Sequence, residues 1–316
     1  MRPIGLLAAG DSRHLRRLAE AFARRGRETV RLDPTLLWGA VGAGPPLRVT
    51  GGRSGRSIPG GTRRPSGDRD LMALDALVVR IIPPGSLDQI VFRIDCLHLL
   101  ADSGLTVINS PRALERTIDK HWCSQLLQRA GIPTPRTIAT ERFDDAMRAF
   151  REIGDIVVKP LLGSGGRGIV RVSDEDLAYR TFRALEMARA IYYLQEFVPH
   201  GRFDLRLFVV GDDVVAAVRR IGDGWKTNVA SGADAEPHAP DPEERDLALR
   251  ACRAVGADYA GVDIVRALDG RILVIEVNGI PGWAALERAT GADPAGAIAL
   301  HVSRRIEEGH GPHPKH

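Results

Sequence analysis

Residues 261–283 read GVDIVRALDGRILVIEVNGIPGW, and the fold turns on how this stretch pairs with itself. Two runs rich in Val, Ile and Leu flank Asp269-Gly270, a dipeptide that marks a tight hairpin turn. With Asp269 and Gly270 as the two turn residues, Leu268 pairs with Arg271, and counting back sets Asp263 opposite Glu276. Strand side chains alternate between faces, so Asn278 shares the face of Glu276. Two carboxylates placed opposite each other repel, and a hairpin tolerates them only if a cation stands between them. Two carboxylates and an amide oxygen are hard ligands, a set suited to Mg²⁺ that keeps some water and holds nucleotide phosphates. Asp263, Glu276 and Asn278 are therefore candidate metal ligands. A solvated strand face is the competing reading, and the apolar character of the other strand residues counts against it.

The chain has 316 residues, enough for two or three structural units with ample core. A net charge of +4 is small at this length, and the arginines are scattered without aromatic interleaving, so no nucleic-acid partner is expected. Lysine is rare, confined to Lys120, Lys159, Lys226 and Lys315. Where arginine is the default cation, a retained lysine marks a place that needs a compact point charge. Cys96, Cys123 and Cys252 are odd in number and lack metal or redox spacing, so they read as reduced, buried thiols of a cytoplasmic protein. No run reaches the roughly 18 apolar residues of a membrane span. The apolar start at residues 4–10 is followed at once by Asp11 and several arginines, unlike a secretory signal. A cytoplasmic protein with no membrane partner is expected.

The chain opens as a small α/β domain. Residues 3–10 read as a buried strand, and Asp11 or Ser12 caps a helix with Leu15, Leu18, Ala19 and Phe22 at helical spacing. Residues 28–32 form a second strand, completing a β-α-β unit. Residues 39–70, dense in Gly, Pro, Ser and Arg, read as a flexible loop or ragged hairpin inserted in this domain. A strand at 74–80 ends in Arg80, a helix capped by Ser86 or Asp88 runs through Leu100, and a strand at 106–109 closes the domain near Pro111. A helix over 112–131 carries Asp119-Lys120.

Residues 155–172, DIVVKPLLGSGGRGIVRV, carry the second signal. Gly163, Gly165 and Gly168 match the dinucleotide fingerprint letter for letter, yet that fingerprint needs a following helix, and here a strand follows. A glycine-rich loop between two strands is instead a flap whose backbone N–H groups close over phosphates. Lys159 stands just before it, placed to offer a point charge to phosphates. Residues 191–198 read as a strand ending in Gln195-Glu196-Phe197-Val198, either a hinge for an adenine edge or a plain core strand. Two strands follow around Gly211-Asp212; Arg206 shares a face with Asp204, and Arg219 or Arg220 ends the partner strand. The loop at 224–232 presents Lys226 and Asn228, a helix over 243–255 leads into the metal hairpin, and a last helix runs to Ile306. The tail, with three histidines, is expected to be disordered.

Taken in this order, VKPLLGSGGRGI, QEFV, DLR, TNVASG and GVDIV…VIEVNGIPGW resemble the ATP-grasp superfamily, and within it the RimK-type carboxylate–amine ligases, over residues 3–306. The resemblance implies an α/β (α+β) ATP-grasp fold. A Rossmann-like pre-ATP-grasp domain would span 1–111, a lid subdomain 112–195 and a C-terminal subdomain 196–308, with 309–316 as the tail. It implies ATP held at the phosphates by Lys120, Lys159 and the flap residues Gly163, Ser164, Gly165 and Gly166. The adenine would lie at Gln195, Glu196, Phe197 and Val198, with Asp204 by the ribose. Arg206, Arg219 and Asn228 would stabilise the transferred phosphoryl group, and Asp263, Glu276 and Asn278 would carry Mg²⁺ or Mn²⁺. Assembly as a homodimer or tetramer is implied as well. PPGSLDQIVFRIDCLHLL, NSPRALERTIDKHW and EVNGIPGW look like the ligases of tetrahydromethanopterin and methylofuran cofactor synthesis in methylotrophs and methanogens. The implied partners are L-glutamate and a small-molecule carboxylate on the cofactor precursor, joined through an acyl phosphate. A ligase for a peptide or protein C-terminus, an ATP-grasp kinase and a non-catalytic nucleotide-binding regulator are the alternatives.

Overall fold

The structure, a computed structural model, describes residues 1–42, 47–49, 69–163, 165–222, 225 and 234–309. It begins with β1 (Ile4–Leu7), α1 (Arg13–Ala23) and β2 (Thr29–Leu32), then a small antiparallel meander of β3 (Leu37–Gly39), β4 (Leu47–Val49) and β5 (Arg69–Asp70). This meander is the described part of the expected insertion at 39–70, and Arg48 lies over the Trp38 ring at 4.1 Å. Residues 43–46 and 50–68 of that insertion, and 310–316 of the tail, lie outside the described residues. β6 (Ala76–Val79), α2 (Leu87–Asp102) and β7 (Thr106–Ile108) complete a parallel sheet ordered β2-β1-β6-β7. Every residue of β1, β2 and β6 is buried, as parallel strands covered on both faces require. Of the alternative caps, Ser12 serves α1, and Ser86 serves α2 in a reciprocal box with Gln89.

The single helix expected over 112–131 is two, α3 (Pro111–Ile118) and α4 (Lys120–Arg129). Asp119 leaves the helical region, and its carboxylate accepts the Trp122 N–H at 2.9 Å, capping α4. Lys120 becomes the first residue of α4. A lysine there opposes the helix dipole, an arrangement that local stability does not favour.

The next unit contains β8 (Thr137–Thr140), α5 (Phe143–Ile153), β9 (Ile156–Lys159), β10 (Val170–Val172), α6 (Glu175–Met187) and β11 (Tyr192–Glu196). Its antiparallel sheet runs β10-β9-β11-β8. One face packs Val158, Tyr192 and Leu194 against Met147, Phe150 and Phe182 of the two helices. Strand alternation turns Lys159, Tyr193 and Gln195 to the other face.

β12 (Phe203–Val210), β13 (Asp213–Ile221), β14 (Asp234–Pro237), α7 (Pro242–Val255), β15 (Tyr259–Arg266), β16 (Ile272–Asn278), α8 (Ala284–Thr290) and α9 (Pro294–Gly309) follow. The five strands form an antiparallel sheet ordered β14-β13-β12-β15-β16. Leu205, Leu207, Val209, Val262 and Ile264 face Leu247, Ala248 and Ala251 of α7. Phe208, Tyr259 and Trp283 instead share one continuous core with Ile4, Leu6 and Phe22 of the first sheet and its helix, and with Val302 of α9. Asn109, fully buried at the end of β7, joins the two sheets. Its Nδ2 donates to the Tyr259 and Gly279 carbonyls at 2.8 and 2.7 Å, and its Oδ1 accepts from the Asp258 and Tyr259 amides at 2.6 and 3.1 Å. All the hydrogen-bonding capacity of a buried amide is used, so the N-terminal sheet is docked by specific contacts as well as by apolar burial.

Candidate active site

Strand register builds the polar centre. Glu276 on β16 lies opposite Asp263 on β15, Asp263 opposite Arg206 on β12, and Asp204, two residues along β12, opposite Arg220 on β13. The Asp263–Glu276 pairing agrees with expectation, but by another route. Ala267 pairs with Arg271 around a three-residue turn, and an irregularity between Asp263 and Ile264 leaves Ile275 as an extra residue. The longer turn and the bulge each shift the register by one, and the two shifts cancel.

Arg206 grips Asp263 with two N–H groups, the Nη2 contact being 2.7 Å. Arg220 forks onto Asp204 at 2.6 and 2.5 Å and also reaches Asp263 at 3.0 Å. Burial works to raise the Asp263 carboxyl, but Arg206 and Arg220 outweigh it and hold it below the usual range. The same carboxylates push the Arg220 guanidinium up against the opposing effect of its burial. Asn278 Nδ2 donates to Glu276 Oε1 at 2.9 Å, which aligns both oxygen-bearing groups on one strand face.

Two lysines look onto this row from the other side. Lys159 is 9% exposed and donates to Gln195 Oε1 at 2.6 Å. Lys120 donates to the Gly163 carbonyl at 2.7 Å, tying the start of α4 to the flap. Burial lowers both ammonium groups, and Glu276 pulls each back up. Among the described residues neither lysine forms an ion pair. β9 and β10 pair antiparallel on either side of the flap, in which Gly163, Gly165, Gly166 and Gly168 all have φ between 70° and 137°. Only glycine takes such a run without strain. A cavity of about 440 Å³ joins Lys120, Lys159, Gly163, Gly165 and Gly166 to the Asp263–Glu276–Asn278 face. Unpaired ammonium groups facing hard oxygen ligands fit a polyphosphate carrying a divalent cation, so these residues could hold ATP and Mg²⁺.

A second cavity of about 100 Å³ adjoins it, with Lys159, Ile169, Asp204 and Ile275 lining both. Val157, Phe197, Val198, Trp225 and Val265 give it apolar walls fit for a heteroaromatic ring. The Arg171 guanidinium lies over the outer hinge residue Phe197 at 3.6 Å. Gln195 and Glu196 border this cavity with their side chains otherwise engaged, Gln195 on Lys159 and Glu196 on Arg271 and the Arg136 amide. The Glu196 and Phe197 N–H groups donate to the Arg136 and Asp155 carbonyls.

Arg219 requires a correction. An unbroken ladder from the Gly211-Asp212 turn would set Arg219 opposite Asp204, but the register shifts between Phe208 and Val209, and Val215 is extra. Arg220 therefore occupies the site face. Arg219 lies on the opposite face with its guanidinium 4.6 Å from the Phe203 ring centre. Ser164 and Asn228 lie outside the described residues. Sequence reasoning also missed Arg167, His14 and the segment Ile280, Pro281, Gly282, Ala284, Ala285 and Leu286, all of which line the large cavity. His14 comes from the first helix, and nothing local to it signals a partner 269 residues away.

A glycine flap over paired lysines, an apolar base slot and an acidic hairpin, set between two antiparallel sheets, define an ATP-grasp enzyme. The RimK-like ATP-grasp domain family matches residues 117–302, and the chain belongs to that family. It is an ADP-forming carboxylate–amine ligase. It is 32% identical over 266 residues to the tetrahydromethanopterin:alpha-L-glutamate ligase of Methanosarcina acetivorans, covering 75% of this chain and 82% of that protein. With the protein of the same name from Methanocaldococcus jannaschii it is 38% identical over 223 residues, 68% and 76% of the two chains. Among solved structures, the RimK domain ATP-grasp protein of Sphaerobacter thermophilus aligns with a TM-score of 0.70 at 25% identity, over 95% of this chain and 98% of that one. No helix among the described residues is long and apolar enough to cross a membrane.

Proposed function

We propose that this ligase adds L-glutamate, through its α-amine, to a carboxylate of a tetrahydromethanopterin-type or methylofuran-type cofactor precursor. The observation that carries the reading is the cavity in which two lysines, without an ion pair among the described residues, face the Asp263–Glu276–Asn278 row, in a chain similar over two thirds of its length or more to two such ligases. A carboxylate is a poor electrophile, so the γ-phosphoryl group of ATP first moves to it, giving an acyl phosphate and ADP. The amine then attacks the acyl carbon, phosphate leaves, and the amine's proton passes to solvent. Lys120 and Lys159 would hold the phosphates, the Phe197–Trp225 slot the adenine, and Arg206 and Arg220 the oxygens that gain charge. Magnesium, or manganese in its place, would sit on Asp263, Glu276 and Asn278, where a divalent ion neutralises phosphate charge and fixes the phosphoryl group for transfer. The flap would keep water from the acyl phosphate. The reading includes a cytoplasmic protein assembled as a dimer or tetramer, which light scattering on the purified chain tests.

The deciding experiment measures ADP and phosphate release from Mg-ATP with L-glutamate and tetrahydromethanopterin, with the product weighed by mass spectrometry. An acceptor heavier by one glutamyl residue, formed only when both substrates are present, is the expected result. ADP release that ignores the amine, with a phosphorylated hydroxyl, would replace the ligase with a kinase. Glutamylation of a peptide C-terminus but not of the pterin would move the substrate class.

A further inference from the structure

The large cavity opens onto the apolar base slot through Lys159, Asp204 and Ile275. The segment after Asn278 adds Ile280, Pro281, Ala284, Ala285 and Leu286 to the lining, with His14 bonded to Trp283 of that segment and Arg206 beside Pro281. These apolar side chains suit a larger, partly apolar acceptor better than a bare amino acid.

The protonation of His14 follows from its partner. The Trp283 backbone N–H donates to His14 Nε2 at 3.0 Å, and an amide N–H can only donate. Nε2 is therefore the bare nitrogen, and the ring proton lies on Nδ1. Nδ1 makes no hydrogen bond among the described residues. The ring that carries it is half-buried and lines the cavity. The ring is also held in place. It meets Trp283 edge-on at 4.6 Å, and the Arg80 guanidinium lies over that indole at 4.5 Å while donating to the Pro281 carbonyl. Burial, with Arg80 and Arg13 nearby, lowers the imidazole to about 4 against the opposing pull of Glu287, so it stays neutral at physiological pH.

We propose that His14, lent by the first helix of the N-terminal sheet, binds the acceptor substrate by donating its Nδ1–H to a carbonyl or carboxylate oxygen of that molecule. The proposal rests on the ligase reading above and assigns this apolar part of the cavity lining to the acceptor, leaving the amino acid elsewhere. It excludes His14 as the base that deprotonates the amine, because Nδ1 already carries its proton.

Two isosteric substitutions separate binding from architecture. In His14→Gln the side-chain oxygen takes the place of Nε2 and keeps the Trp283 amide bond, but the Nδ1 donor is lost. In His14→Asn the side-chain N–H takes the place of Nδ1, and the Trp283 amide loses its acceptor. Steady-state kinetics with tetrahydromethanopterin, L-glutamate and Mg-ATP, each varied in turn, give the readout. His14→Gln should raise KM for the acceptor roughly five- to tenfold, the worth of one hydrogen bond, with KM for ATP and glutamate and the melting temperature unchanged. His14→Asn should keep acceptor KM near wild type and melt lower. A wild-type acceptor KM in His14→Gln, a rise confined to glutamate, or equal defects in both variants would each overturn the proposal. If the unmodified enzyme forms no glutamylated pterin, the pterin assignment under the proposed function fails, and this proposal falls with it.

Discussion

The bulge in β13 makes a strong prediction about two adjacent arginines. Arg220→Ala should damage both stability and turnover, whereas Arg219→Ala should leave turnover intact. Arg220 is 6% exposed, and its removal strips Asp204 of its 2.5 and 2.6 Å contacts while Asp263 keeps Arg206. Breaking a buried ion pair from one side costs about 3–5 kcal/mol, and the surviving Arg206 contact puts this case near 3 kcal/mol. The loss of a preorganised donor facing developing charge should lower turnover by about 10²- to 10³-fold. Arg219 stacks on Phe203 at 4.6 Å on the other face, and its removal should cost only about 0.5–1 kcal/mol. Urea unfolding gives the stabilities. ADP release at saturating Mg-ATP, at a temperature where both variants are folded, gives the turnover. A hundredfold loss in Arg219→Ala beside normal turnover in Arg220→Ala would refute the register and with it the arginine assignment.

Lys159→Met should impair nucleotide use while stabilising the fold. Burial lowers the Lys159 ammonium from 10.5, so the unfolded chain binds more protons between the lowered value and 10.5, and wild-type stability rises with pH in that window. The variant should therefore melt above wild type near pH 7, with the gap closing toward pH 10, and its KM for ATP should rise; an unchanged KM would remove Lys159 from the phosphates. Glu276→Ala should abolish turnover with the circular dichroism spectrum and melting temperature preserved, since Glu276 is half-buried and its side chain is hydrogen-bonded only to Asn278 among the described residues. Full activity in that variant would refute the metal assignment.

How far the sequence carried the fold depended on whether a feature was local. Periodicity and caps located most helices and strands, because hydrophobic spacing and a Ser or Asp at a helix start act within a few residues. The Asp119 break was readable in hindsight from Asp-Lys at the head of a new apolar stripe. Register was not readable, because a bulge adds one unpaired residue with no required residue type. In β13 that extra residue moved the site face from Arg219 to Arg220; in β16 it cancelled a turn one residue longer than the dipeptide rule supplies. His14 and Asn109 were beyond local reasoning altogether. Their partners, Trp283 and Tyr259, are 269 and 150 residues away, and only the docking of the N-terminal parallel sheet and its helix on the five-stranded sheet brings them together.

The scarcity of lysine has a physical meaning that the arginines of the site bring out. Arg206 and Arg220 each carry a planar fork, and each fork has found a carboxylate, so Asp204, Asp263 and the two guanidiniums form a self-neutralised group of four. Such a group offers oriented N–H bonds and little net charge. Lys120 and Lys159 are point charges satisfied by a carbonyl and an amide oxygen, and those partners orient an ammonium without neutralising it. Positive charge without an ion-pair partner among the described residues therefore sits at these lysines and at Arg167 of the flap, where the phosphates would lie. An arginine at either position would present a planar fork suited to gripping a carboxylate such as Glu276, cancelling the charge that an anion needs to find. In a chain that uses arginine almost everywhere, two of its four lysines stand where pairing would defeat the purpose.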